Sequence, residues 1–121
     1  MRIKFLEGDF SVCRVRDLSG VNTAAAFFFL ARTPDELSLA CLTEDVPADA
    51  EKADHGWRAF RVEGQLDFAL VGILAGLAGT LAAWGISIFA VSSYDTDYIL
   101  IKAAKADEAR RALAEAGYEV A

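Results

Sequence analysis

Short apolar runs separated by polar turns fill the first half of this chain. Residues 10–15 (FSVCRV), 27–32 (FFFLAR), 37–43 (LSLACLT) and 57–62 (WRAFRV) carry the β-branched and aromatic residues of strands. Residues 33–36 (TPDE) read as a turn. Residues 16–23, with Asp, Ser, Gly and Asn, read as a loop with room for a short helix after it. Residues 44–56 are polar and acidic and read as an exposed connection or one short helix. Residues 65–71 (QLDFALV) read as a further strand, with Gly64 marking a bulge or turn before it.

The second half is dominated by FALVGILAGLAGTLAAWGISIFAV, residues 68–91, which carries no charge. Its length would suffice to span a membrane, and Gly72 and Gly76 form a Gly-x-x-x-Gly. Three features oppose a span. The flanking charges are Asp67, Asp95 and Asp97, with the nearest cations at Arg61 and Lys102, so no positive-inside signal is present. Leu70, Leu74, Leu77, Leu81 and Trp84 recur at helical spacing, whereas residues 86–91 (ISIFAV) are strand-like. Gly85 stands where a helix C-cap glycine belongs. The helix left, residues 73–84, would rise only about 18 Å, short of a ~30 Å hydrocarbon core. The expectation is a buried helix, slim on its Gly/Ala side, feeding a central strand.

After the turn YDTD (residues 94–97), residues 98–103 (YILIKA) read as a strand. Residues 107–116 read as an amphipathic helix whose buried stripe is Ala109, Ala112, Leu113 and Ala116. Gly117 closes it, and residues 118–120 make a last strand. The second half thus has the order βαββαβ, a ferredoxin-like α+β unit. A faint repeat extends this to the first half. Shifted by 61 positions, residues 27–41 overlie a second strand, acidic turn and strand from Ile88, with Glu36 on Asp97 and Phe10 on Val71. The expected fold is a tandem of ferredoxin-like units, residues 1–61 and 62–121, with antiparallel sheets and helices on one face.

Composition narrows the function. A chain of 121 residues with 55% hydrophobic content can build a real core. A formal net charge of −6 argues against a nucleic acid or an anionic membrane surface as partner. Cys13 and Cys41 lie in apolar runs and read as small buried hydrophobes. The N-terminus carries acidic residues and no long apolar region, so no signal peptide is read there and a cytoplasmic location is expected. The single histidine, His55, sits among polar residues and reads as solvated, with no nucleophile to pair with. No Cys, His and Asp cluster has metal-ligand spacing. Gly72, Gly76 and Gly79 give G-x-x-x-G-x-x-G, neither a P-loop nor a dinucleotide fingerprint. The expectation is therefore a binding protein without a cofactor, not an enzyme.

Residues 71–103 resemble the ACT domain, in particular the CASTOR and aspartate-kinase type. The resemblance rests on the Gly-Ile-Leu-Ala at Gly72–Ala75, the Gly-Ile-Ser-Ile-Phe at Gly85–Phe89, and Ser-Ser-Tyr-Asp-Thr-Asp-Tyr-Ile-Leu at Ser92–Leu100. It holds over residues 62–120 and is weaker before that, which implies a C-terminal ACT domain and a degenerate N-terminal ACT-like unit. ACT domains are regulatory modules that bind amino acids between paired domains. Carried over, the ligand contacts are Val71, Gly72, Ile73 and Leu74 at the entry to the first helix, and Ser92, Ser93, Thr96 and Asp97 at the second strand and its turn. The helix entry suits a carboxylate, Asp97 with Asp95 suits an ammonium or guanidinium, and the hydroxyls can hydrogen-bond. Asp95 and Thr96 are equally ordinary turn residues, and Ser92 and Ser93 could simply end a strand. The family's arginine sensors are longer and carry more such units, so the resemblance implies that this chain works as a homodimer.

Overall fold

The computed structural model describes residues 1–63 and 71–121. The chain divides into two compact units, one of Met1–Glu7 with Arg58–Ala121 and one of Gly8–Trp57. The boundary expected between residues 61 and 62 falls inside a strand, and the first seven residues go with the C-terminal unit. The strand expected over residues 65–71 lies, but for Val71, outside the described residues.

The C-terminal unit comprises β1 (Arg2–Phe5), the second half of β5 (Lys52–Val62), α1 (Ile73–Ala83), β6 (Ile88–Ser92), β7 (Asp97–Lys102), α2 (Ala106–Glu115) and β8 (Glu119–Val120). From β5 onward this is the βαββαβ order. Its strands run β6-β7-β5-β1-β8. β1 is an addition to that order: it pairs antiparallel with β5 (Ile3 with Val62, Phe5 with Phe60) and parallel with β8 (Ile3 with Val120). Its alternation suits the place, with Ile3 and Phe5 buried and Arg2 and Lys4 exposed. Ile3, Phe60, Val62, Ile99 and Ile101 pack in one cluster with Leu77, Leu81, Ala109 and Leu113, so both helices cover the same sheet face.

The two helices end alike. Ile86 N–H donates to the Leu81 carbonyl (3.0 Å) and Gly85 N–H to that of Ala82 (2.9 Å); Tyr118 N–H donates to Leu113 (3.0 Å) and Gly117 N–H to Ala114 (3.1 Å). These are the paired bonds of the Schellman motif, and each brings an apolar residue, Ile86 or Tyr118, back onto the core. Gly85 has φ of 72°, the left-handed conformation that this cap requires.

The N-terminal unit comprises β2 (Phe10–Arg14), β3 (Phe28–Arg32), β4 (Leu37–Leu42) and the first half of β5, in the order β3-β4-β2-β5. No α-helix occurs among residues 8–57, and residues 43–45 form one 3-10 turn. Residues 16–27, where room for a short helix was expected, are turns and bends. Cys13, Val15, Leu37, Leu39 and Cys41 form the core of one face, covered by Val21, Val46 and Ala50 from the connecting loops.

Three expectations change. The repeat is real in the backbone, but its spacing is 60, not 61. Phe28 pairs Cys41 as Ile88 pairs Ile101, and Arg32 pairs Leu37 as Ser92 pairs Asp97. The two turns also close alike, with Thr33 N–H on Glu36 O and Ser93 N–H on Thr96 O, both at 2.9 Å. Glu36 therefore corresponds to Thr96 and not to Asp97; matching the acids slipped the register by one. Second, β6 is not central: among the described residues it pairs with β7 alone, and its residues are half-buried or exposed. Third, α1 is not fully buried. Leu77 and Leu81 are, while Ala75, Gly76, Gly79, Ala82 and Ala83 are exposed. A helix without a polar side gives a sequence reading no way to tell its core face from its open one.

No helix among the described residues is long and apolar enough to cross a membrane. Gly85→Ala is expected to destabilise the protein by about 1–2 kcal/mol, the left-handed penalty, because a Cβ there meets nothing within 4 Å and only the backbone resists. Urea unfolding would show a lower midpoint at unchanged slope. An unchanged midpoint would contradict the capping role.

Candidate functional site

The candidate site lies at one end of the C-terminal unit's sheet. Ser92 ends β6 opposite Asp97, which starts β7. At this last rung Ser92 Oγ donates to Asp97 Oδ1 (2.6 Å). Ser93 Oγ donates to the Thr96 carbonyl (3.1 Å), reinforcing the backbone bond that closes the turn. Thr96, 6% exposed, turns inward and its Oγ1 donates to the Val62 carbonyl at 2.7 Å. The turn is thereby fastened to the C-terminal end of β5. One residue further, Glu63 N–H donates to the Arg2 carbonyl (2.9 Å), and its carboxylate meets Arg2 Nε (2.6 Å).

The other predicted residues open α1. Gly72 has φ of 79°, exposed and left-handed, and its carbonyl accepts the helix's first bond from Gly76 N–H (2.8 Å). No side chain caps the helix start, so the amides of Ile73 and Leu74 belong to the set that an α-helix leaves without internal acceptors. Ile73 and Leu74 pack partly on the core. Val71, just before them, is 89% exposed, and Tyr94, at the tip of the turn, is 78% exposed. Chain order relates the two groups: β5 ends at Val62 beneath the turn, and the next element among the described residues is α1. So Ser92 is brought to Asp97, Ser93 to Thr96, and Thr96 to Val62, while Val71, Gly72, Ile73 and Leu74 form a second group at the helix start.

One polar cluster escaped the sequence reading. His55 is not in a loop; it lies on β5 at a bulge where His55 and Gly56 stand opposite Ser11. Ser11 Oγ is 2.7 Å from His55 Nδ1 and 2.8 Å from Thr43 Oγ1. A serine and a histidine at this distance have the spacing of a nucleophile and its base. Ser11, however, is 0% exposed, so the contacts satisfy a buried hydroxyl in this conformation rather than present it to a substrate.

The cysteines are free and buried, as the sequence implied. Burial pushes the Cys41 thiol up to about 12, helped by Cys13 and Asp45, and burial raises Cys13 against a hydrogen bond from Cys41 that lowers it. Neither is thereby primed as a thiolate. Among the described residues, no group of three His, Cys, Asp or Glu could hold a metal ion.

The profile of the ACT domain matches residues 52–115, from β5 through the turn to α2. The chain belongs to the ACT-domain family. Among solved structures, a protein from Agobacterium tumefaciens is similar at 30% identity and TM-score 0.88, covering 99% of this chain and 91% of that one. A Vibrio cholerae protein of unknown function, described as a possible transport protein, is similar at 26% identity and TM-score 0.77, covering 94% of this chain and 88% of that one. The regulatory subunit of aspartate kinase from Thermus thermophilus, in a ligand-free form, shares the fold at 14% identity and TM-score 0.65, covering 97% and 98%. No curated protein matches the sequence. The ACT match thus falls on the elements that carry the candidate site.

The Cys41 shift fixes a pH dependence. The unfolded thiol titrates near its ordinary value of 9.0. Between there and about 12 the unfolded chain has lost a proton that the native state keeps. The stability that this thiol contributes is whole below the lower value and falls as pH rises toward the upper one. Urea unfolding across that range should show a smaller decline for Cys41→Ala than for the wild type; equal declines would contradict the burial.

Proposed function

We propose that this chain is a regulatory ACT protein, of the CASTOR and aspartate-kinase type, that binds a free amino acid and has no catalytic activity of its own. The observation that carries the proposal is the end of the C-terminal sheet. Asp97, oriented by Ser92, supplies an anion at the turn, and the uncapped start of α1 supplies amide donors in the element that follows β5. A carboxylate on the amides of Gly72, Ile73 and Leu74 and an ammonium on Asp97 would use both. Thr96 is committed to Val62 and shapes the turn, leaving Ser92 and Ser93 as the nearer hydroxyls.

The same end supports a homodimer with the ligand between two copies. Val71 and Tyr94 adjoin the candidate contacts in sequence and are, among the described residues, the most exposed of the large hydrophobic side chains. The Gly/Ala side of α1 is exposed, and among the described residues β6 pairs with β7 alone. The 60-residue recurrence of strand, turn and strand, and strand orders that match once the added β1 is set aside, support a tandem in which the N-terminal unit is an ACT-like unit stripped of its helices. Its work would be done in the cytoplasm, where free thiols stay reduced.

A thermal-shift screen of the free amino acids tests this. A ligand at a hundredfold excess over its Kd should stabilise by about 2.7 kcal/mol. Asp97→Asn should leave the fold intact and weaken that ligand by roughly 1.5–3 kcal/mol, the value of a hydrogen bond to a charged group. Sedimentation should find a dimer. If every amino acid at millimolar concentration leaves the melting curve in place, the alternative stands: an interaction module with the ACT fold and no ligand.

A further inference from the structure

The N-terminal sheet ends in β3, which among the described residues pairs with β4 alone. Register decides which of its backbone groups face outward. At the turn Thr33 N–H donates to the Glu36 carbonyl (2.9 Å), so Thr33 faces β4. The Leu37 carbonyl accepts from Val15 N–H (2.9 Å), so Leu37 faces β2 and not Arg32, its pair on β3. Bonded and non-bonded rungs alternate along an antiparallel pair. Phe29 and Ala31 therefore bond β4, while the N–H and C=O groups of Phe28, Leu30 and Arg32 point away from the sheet. Among the described residues, no hydrogen bond satisfies these outward groups.

Native edge strands are blunted by proline, bulges or charges. β3 keeps an unbroken register with β4 and carries no charge before its last residue, Arg32. Leu30, at its middle, is 38% exposed, and Arg32 is exposed with no ion pair among the described residues. The outward residues are also self-complementary. Turned antiparallel about Leu30, a second β3 sets Leu30 on Leu30 and, at either end, Phe28 on Arg32. Each of these three rungs exchanges two N–H···O=C bonds, so every outward group of the strand is used. Registers centred on Phe29 or Ala31 keep only two such rungs within the strand. The side chains of Phe28, Leu30 and Arg32 share one face. The guanidinium thus comes beside the ring, an attractive cation–π pair, the leucines meet at the axis, and no charge faces a like charge.

We propose that the β3 edge is a contact at which a second copy of this chain adds, antiparallel and in register about Leu30. The contact uses no residue of the site at Ser92 and Asp97 and does not depend on a ligand there. A strand of 5 residues is small beside the ~1,200–2,000 Å² of stable interfaces. The pairing is therefore concentration-dependent, and it joins pairs formed at the C-terminal end instead of replacing them.

The test is amide hydrogen exchange of the full chain, followed by NMR in dilute and in concentrated protein. The amides of Phe28, Leu30 and Arg32 should exchange fast when dilute and slow severalfold when concentrated, since only paired copies protect them. Those of Phe29 and Ala31, already bonded to β4, should be slow in both. Leu30→Lys sets two ammoniums at the axis. It should abolish the concentration effect and leave the unfolding midpoint near that of the wild type, because Leu30 is already exposed. Leu30→Cys should cross-link to itself under oxidised glutathione. The Cα atoms of a bonded rung lie ~5.5 Å apart, inside the ~4.4–6.8 Å range of disulfides. Arg32→Cys, whose twin lies about 13 Å along the strand, should not cross-link. Exchange at Phe28, Leu30 and Arg32 that stays fast up to millimolar protein would overturn the proposal. So would protection at Ile88, Ala90 and Ser92 in their place, an unchanged concentration effect in Leu30→Lys, or equal cross-linking of the two cysteine variants.

Discussion

The pairing of Ser92 with Asp97 at the last rung of β6 and β7 is the constraint on which the C-terminal end of this molecule depends. Side chains alternate along a strand, so the rung decides which of two neighbouring residues points inward. With Asp97 paired, Thr96 falls in the turn, goes inward and bonds the end of β5. Asp97 is then held by a hydroxyl instead of an ion pair. A slip of one residue would bury the carboxylate and expose the threonine. Burying an unpaired carboxylate costs far more than burying a satisfied hydroxyl, so the register is held from both sides. The N-terminus steadies the same end: the Arg2 carbonyl accepts from Glu63 N–H, and the Met1 carbonyl, just before β1, accepts from Glu119 N–H.

The N-terminal unit contains a hairpin of the same register with different side chains. Its hairpin has the same pairs and the same turn closure sixty positions earlier. Leu37, at the place of Asp97, is buried, so the turn loses its carboxylate to the core. Without helices, loops cover one face of this sheet. On the other face, aromatic contacts link Phe10, Phe27 and Phe29. A repeat that conserves backbone and reassigns side chains can bind a different ligand, or none, without a new fold.

Much of this was legible. The two hairpin turns, the apolar runs of β2, β3, β4, β6 and β7 and the glycines closing both helices are local signals with local causes; of the stripe expected on α2, Ala109, Ala112 and Leu113 are buried, while Ala116 caps the helix and is exposed. β1 went unread: Arg2, Ile3, Lys4 and Phe5 alternate, but four residues at a terminus make a faint pattern. The first half of β5, KADHGW, gave no such signal: its first five residues are exposed, so nothing apolar alternates there. The contact of His55 with Ser11 depends on a bulge and on pairing across 44 positions, which no local pattern encodes. The openness of α1 was hidden for a different reason. Apolar composition records that a face avoids water, not whether the chain's own core or something else covers it.

The central claim is that the turn at Ser92–Asp97 and the start of α1 together hold an amino acid. The most direct test is a crystal structure of the full chain grown with an amino acid that stabilises it. The account predicts the ligand's carboxylate on the amides of Gly72–Leu74 and its ammonium on Asp97, beside a second copy of the chain. An amino acid bound elsewhere, with that end of the sheet empty, would contradict it.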